Sequence, residues 1–186
     1  MLIRILAFLL ETIFFLLIGA ALLRAWMNWT RVNMSGQPGS FVMSITDWIV
    51  KPLRRVLPAH LLKSRIDWAS VIAGVVLALA YGLLWSLLFG VLMGVVHWSG
   101  LAALPALLVF ALKMLIRVAL QVMMILVIGF AILSWVQPGS PAYSLLGRLT
   151  EPLLAPLRRV IPSLGGVDLS ALVLILILQV GLMVLG

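Results

Sequence analysis

Cysteine is absent from this 186-residue chain, and aspartate and glutamate together number only five. Without cysteine there is no disulfide, no thiol nucleophile and no thiolate metal site. The five carboxylates, Glu11, Asp47, Asp67, Glu151 and Asp168, are scattered, and none forms the paired arrangement of an acid–base catalyst. The two histidines, His60 and His97, lack metal-ligand spacing. No glycine-rich phosphate loop and no nucleophile elbow occurs. The expectation is a protein that is not an enzyme and uses no metal or cofactor.

Charge of either sign is also scarce, at 10% of residues, while 65% are hydrophobic and the mean hydropathy is +1.27. A soluble domain is nearer half apolar and a quarter charged, and no soluble fold of this length could bury the excess. The composition is that of an all-α integral membrane protein. Thirteen Lys and Arg against five acids give +8. The cations gather between apolar runs, as in cytoplasmic loops facing anionic headgroups. The chain opens on Met1-Leu2-Ile3-Arg4 and an apolar run without a small-residue cleavage site, so this run is read as a retained span.

What the chain does have is one motif used twice. Pro52-Leu53-Arg54-Arg55-Val56-Leu57-Pro58 returns as Pro156-Leu157-Arg158-Arg159-Val160-Ile161-Pro162, with Thr46-Asp47 matching Thr150-Glu151. Each copy follows an apolar run ending near a tryptophan, Trp26 or Trp135, and precedes an aspartate, Asp67 or Asp168, that opens another apolar run. The domain reading is two repeats, 1–98 and 99–186.

Spans are expected at about 3–26, 68–89, 113–136 and 169–185, against the roughly 20 residues needed to cross about 30 Å of hydrocarbon. Arg24, Trp26 and Trp29 fall at the interfacial end of the first, where Arg can snorkel and Trp is favoured. In the first loop, Ser40 is a candidate helix cap. Val42, Ile45, Ile49, Leu53 and Val56 form a helical stripe, with Lys51, Arg54 and Arg55 mainly off it. Leu145, Leu146, Leu149, Leu153, Leu157 and Val160 repeat it. Both read as amphipathic interfacial helices, kinked or broken at Pro52 and Pro156. Asp67 and Asp168 are natural N-caps. Residues 90–112 stay open between an elbow, a re-entrant hairpin and an extra span.

Both basic motif loops belong on the cytoplasmic side by the positive-inside rule. Two loops on one side need an even number of crossings between them. That favours four spans as two parallel two-span repeats, with both termini outside.

The doubled Pro-Leu-Arg-Arg-Val-[Leu/Ile]-Pro unit, followed each time by an Asp-started span, resembles the YggT family, including the YlmG-type proteins. Residues 150–168 are the closer copy. The first departs from the pattern at Trp48 and in Ala59-His60-Leu61-Leu62-Lys63-Ser64-Arg65-Ile66. The resemblance implies a small bacterial inner-membrane protein, of a family linked to cell division, nucleoid organisation, membrane-complex biogenesis and osmotic stress. It brings no agreed biochemical activity.

The candidate lipid- or partner-binding residues are Pro52, Arg54, Arg55, Pro58, Pro156, Arg158, Arg159 and Pro162. Their arginines suit phosphate or carboxylate, so anionic phospholipids and an unidentified membrane or cytoplasmic protein are the expected partners. Homo-oligomers fit the same pattern, whereas nucleic acid lacks any supporting motif. Glu11, Lys113 and Arg117 are ionisable groups within or near apolar runs and need a partner or a cavity, while Gln121, a further intramembrane polar residue, reads as an interhelical hydrogen bond. A Glu11–Arg117 pair is expected, with Lys113 as the alternative. Two functions follow: a non-enzymatic scaffold or assembly factor, or a small oligomeric channel or transporter acting in ion or osmotic balance.

Overall fold

Long runs without a helix breaker decide the architecture. The computed structural model describes residues 1–62, 64–91, 104–160 and 168–185, and these are helical with no strand among them. Helix α1 spans Leu2–Trp29, α2 Gly39–Val56, α3 Ala59–Leu62, α4 Trp68–Trp85, α5 Leu104–Val136, α6 Pro141–Arg158 and α7 Leu169–Leu185. A π-helical turn, Ser86–Val91, prolongs α4. Three segments are long and apolar enough to cross a membrane: Ile3–Trp29, Trp68–Leu88 and Leu104–Val136. The equally apolar α7 has 17 residues.

Several expectations change. The third apolar helix starts at Leu104, not near residue 113. Pro105 sits in its first turn, where a missing N–H costs nothing, so the uninterrupted apolar run beyond it extends the helix backward. Residues 104–112 of the undecided stretch thus belong to α5, and 92–103 lie outside the described residues. Neither Pro52 nor Pro156 breaks its helix. Pro52 and Trp48, the residue four before it, are both exposed, so the carbonyl that loses its donor lies on the side turned away from the bundle. Ser40 does not cap α2; Pro38 holds that position without a side-chain bond, whereas Ser140 caps α6 by accepting from the Tyr143 N–H at 3.1 Å. Val56 and Val160 leave the expected stripes and are exposed, while Thr46 and Thr150 are buried.

Helices α1, α4, α5 and α7 alternate in direction. Phe14 of α1 meets Tyr81 of α4, while Ala21 packs with Ala69 and Ala73. Gly82 lies against Leu107 and Phe110, and Gly74 against Leu115. Gly181 of α7 approaches Leu120, while Ala171 and Leu174 cluster with Val127 and Phe130. At Gly82 a Cβ would come within 2.7 Å of Leu107 Cδ1 and 3.1 Å of the Phe110 ring, so glycine lets these two side chains of α5 lie directly on the α4 backbone. The alternation brings the ends of α1 and α5 and the starts of α4 and α7 to one end of the bundle. Helices α2 and α6, carrying the two motif copies, pack there.

Candidate functional site

The motif end is built around buried charge. Arg24 is 4% exposed, although it was expected to snorkel outward. Its Nη1 donates to Thr46 Oγ1 and to Asp47 Oδ1, each at 2.8 Å, and its Nε lies 4.0 Å from Asp67 Oδ2. It turns inward because α2, packed against the last turns of α1, offers it the buried Thr46 hydroxyl and the half-buried Asp47 carboxylate. Lys51 reaches Asp47 at 2.7 Å, one turn along α2. Arg54 Nη2 donates to Asp67 Oδ2 at 2.6 Å. Asp67 also caps α4, as expected, accepting from the Ser70 N–H at 3.4 Å and from its hydroxyl at 2.9 Å. The chain of contacts is therefore Lys51–Asp47–Arg24–Asp67–Arg54.

The second motif copy solves the same problem with fewer groups. Arg158 alone bridges Glu151 at 2.8 Å and Asp168 at 2.7 Å, and its guanidinium lies 5.7 Å from the Phe130 ring centre. Asp168 accepts from the Ser170 N–H at 3.1 Å and from the Ser170 hydroxyl. Two residues before Trp26 stands Arg24, but two before Trp135 stands Leu133, so the second half has no counterpart of the buried arginine. The hydrogen bond from Lys51 holds the Asp47 carboxyl below its ordinary pKa, against partial desolvation and with help from Arg24. Burial pushes Asp168 up, but the Ser170 hydroxyl and Arg158 outweigh it, and its pKa too lies below the ordinary value.

The two arginines of each doublet are thus not equivalent. Arg54 and Arg158 are bound to the carboxylates that open the following helices. The side chains of Arg55 and Arg159 are exposed and, among the described residues, make no hydrogen bond or ion pair. Pro52 and Pro156 sit inside α2 and α6, Pro58 stands between Leu57, the C-cap of α2, and the start of α3, and Pro162 lies outside the described residues. The halves are tied together where Trp26 Nε1 donates to the Leu149 carbonyl at 2.8 Å. The sequence showed the matching Thr46-Asp47 and Thr150-Glu151 pairs. It did not show that Asp47 faces Arg24, a contact that crosses from α2 to α1, and the Glu151–Arg158 contact, two turns apart within α6, was not singled out by the motif.

At the opposite end, Glu11, Lys113, Arg117 and Gln121 line one cavity of about 670 Å³ between α1, α4 and α5. They share this cavity, but the expected Glu11 ion pair does not form. Among the described residues Glu11 has no cation within 4.0 Å, and neither Lys113 nor Arg117 has a carboxylate. Glu11, Lys113 and Arg117 are all exposed.

A model of the CCB3/YggT family matches residues 3–88 and 109–186. The "Uncharacterized protein YggT" of Escherichia coli (strain K12) is 34% identical over 94% of this chain and 86% of its own. The "Uncharacterized protein in proC 3'region" of Vibrio alginolyticus is 34% identical over 97% of this chain and 92% of its own. An "Uncharacterized protein" of Haemophilus influenzae is 32% identical over 84% and 78%. No solved structure matches. With the family model matching both motif-bearing halves, the chain belongs to the CCB3/YggT family.

Proposed function

We propose that this protein is a non-enzymatic inner-membrane scaffold that recruits a partner through the second arginine of each motif copy. The observation that carries this reading is the split doublet. One arginine fixes the end of its helix to the next span, and its neighbour, Arg55 or Arg159, is left exposed on a braced support. An arginine in that setting loses little further freedom on forming a bidentate contact to phosphate or carboxylate. Four spans in two parallel repeats, with the motif loops cytoplasmic and both termini outside, account for the alternating helices and the common motif end. Helices α2 and α6 then lie in the interface; Phe41 and Trp48, 61% and 60% exposed, face outward toward lipid. The family's links to cell division, membrane-complex assembly and osmotic tolerance suit a recruiting role.

Photo-crosslinking in living cells tests this, with the crosslinker at His60 and Val160, both exposed. Discrete protein adducts that disappear in Arg55→Ala/Arg159→Ala support recruitment. Adducts to lipid alone would reduce the motif to a membrane anchor and end the scaffold reading. A channel or transporter is the second reading, supported by the ionisable lining of the far cavity. It requires ion flux in proteoliposomes that stops with Glu11→Gln or Arg117→Gln.

A further inference from the structure

The far cavity combines features that the arginine motif does not explain. Lys113 and Arg117 lie one turn apart on α5, and Glu11 reaches the same cavity from α1. Phe8, Phe15 and Phe110 supply apolar wall. Its volume, about 670 Å³, is within the range of small-molecule sites. At 1.5 Å per residue, Glu11 stands about 22 Å along α1 from Trp26, and Arg117 about 27 Å along α5 from Trp135. With those tryptophans at headgroup level, the cavity opens near the far edge of a hydrocarbon layer about 30 Å thick.

Near the edge of the hydrocarbon a charge still gains from a matched partner, and among the described residues none of these three makes a hydrogen bond or ion pair. Two cations and one carboxylate beside aromatic wall are complementary to a zwitterionic headgroup, a phosphate linked to an ammonium. We propose that this cavity binds the phosphoethanolamine headgroup of a membrane lipid, in the leaflet opposite the motif end. Lys113 and Arg117 take the phosphate through charge-assisted hydrogen bonds. Glu11 takes the ammonium, and the phenylalanines pack on the first methylenes. A purely anionic headgroup satisfies the cations but leaves Glu11 facing like charge, so Glu11 sets the preference. The inference is independent of the scaffold reading, because it uses none of the motif residues.

The test is native mass spectrometry of the full chain, purified in detergent and stripped of lipid. It is titrated with phosphatidylethanolamine or phosphatidylglycerol of matched acyl chains. Phosphatidylethanolamine is expected to bind at least about tenfold more tightly, which corresponds to about 1.4 kcal/mol. Glu11→Gln, nearly isosteric, should abolish that preference. Lys113→Gln/Arg117→Gln should weaken both lipids by about tenfold or more, with circular dichroism confirming the fold; Lys113→Arg should restore binding when Arg117 is kept. If the double variant does not fold, the Glu11→Gln preference still decides. Equal binding of the two lipids by the wild-type chain would overturn the proposal. So would full displacement by millimolar inorganic phosphate, which would make this a site for free anions.

Discussion

Asp67→Asn separates two roles of one side chain. Asp67 caps α4 and receives Arg54, with Arg24 close by. Asparagine caps helices about as well as aspartate, so the substitution keeps the cap and removes the charge. The side chains of Asp67 and Arg24 are each 5% exposed, against 44% for Arg54. Removing one partner of a buried ion pair costs about 3–5 kcal/mol. Arg24 retains Asp47 and Arg54 can turn outward, so the lower end, about 3 kcal/mol, is expected. Asp67→Ala also loses the cap and should cost about 1 kcal/mol more. Arg54→Ala removes the half-exposed partner and leaves Asp67 beside Arg24, so about 1–2 kcal/mol is expected. The assay is unfolding of the purified full chain in mixed micelles by titration with a denaturing detergent, followed by circular dichroism. An Asp67→Asn variant within about 0.5 kcal/mol of wild type, the range of an ordinary surface change, would refute the buried-pair reasoning. So would an Arg54→Ala variant that loses as much as Asp67→Asn.

Other outcomes follow from the same geometry. Asp168→Asn should cost less than Asp67→Asn, about 1–2 kcal/mol, because its side chain is 29% exposed; the same titration compares them. Asp47 and Asp168 have folded pKa values below the ordinary one, so their contribution is complete above about pH 4 and is lost as pH falls through the folded values. Melting temperature should therefore hold from neutral pH to about pH 5 and fall below about pH 4, less steeply in Asp168→Asn. Gly82→Val should destabilise by about 1–3 kcal/mol, because even a Cβ meets Leu107 at 2.7 Å and Phe110 at 3.1 Å. Trp26→Phe should cost about 0.5–1.5 kcal/mol for its hydrogen bond to Leu149, more than the same change at exposed Trp135.

Hydropathy and the doubled motif were enough to read the apolar helices, the caps at Asp67 and Asp168, and the family. Those signals are local: one residue type at a fixed place in a run. The start of α5 was misread because Gly100 and Pro105 look like breakers until Pro105 is seen in the first turn of a helix. Arg24 was misread for a different reason. An arginine near the end of an apolar run can face lipid headgroups or the bundle, and only the position of α2 decides. That Glu11, Lys113 and Arg117 stand near one another could be anticipated from depth along the spans; that Gln121 joins them in one cavity could not. Whether they touch could not either, since that depends on how far apart α1 and α5 stand at that end.

The bond from Trp26 to Leu149 also sets an order of events during synthesis. Asp47 follows Arg24 by 23 residues, whereas Leu149 follows Trp26 by 123. At about 5–20 residues per second, the carboxylate emerges about 1–5 s after its arginine, but the carbonyl only about 6–25 s after its tryptophan. The nascent first half can therefore neutralise its buried cation early, while its indole waits for the last third of the polypeptide. A ribosome stalled before α6 would leave a charge-satisfied but unlatched half-protein, open along the seam that its own C-terminal sequence is meant to close.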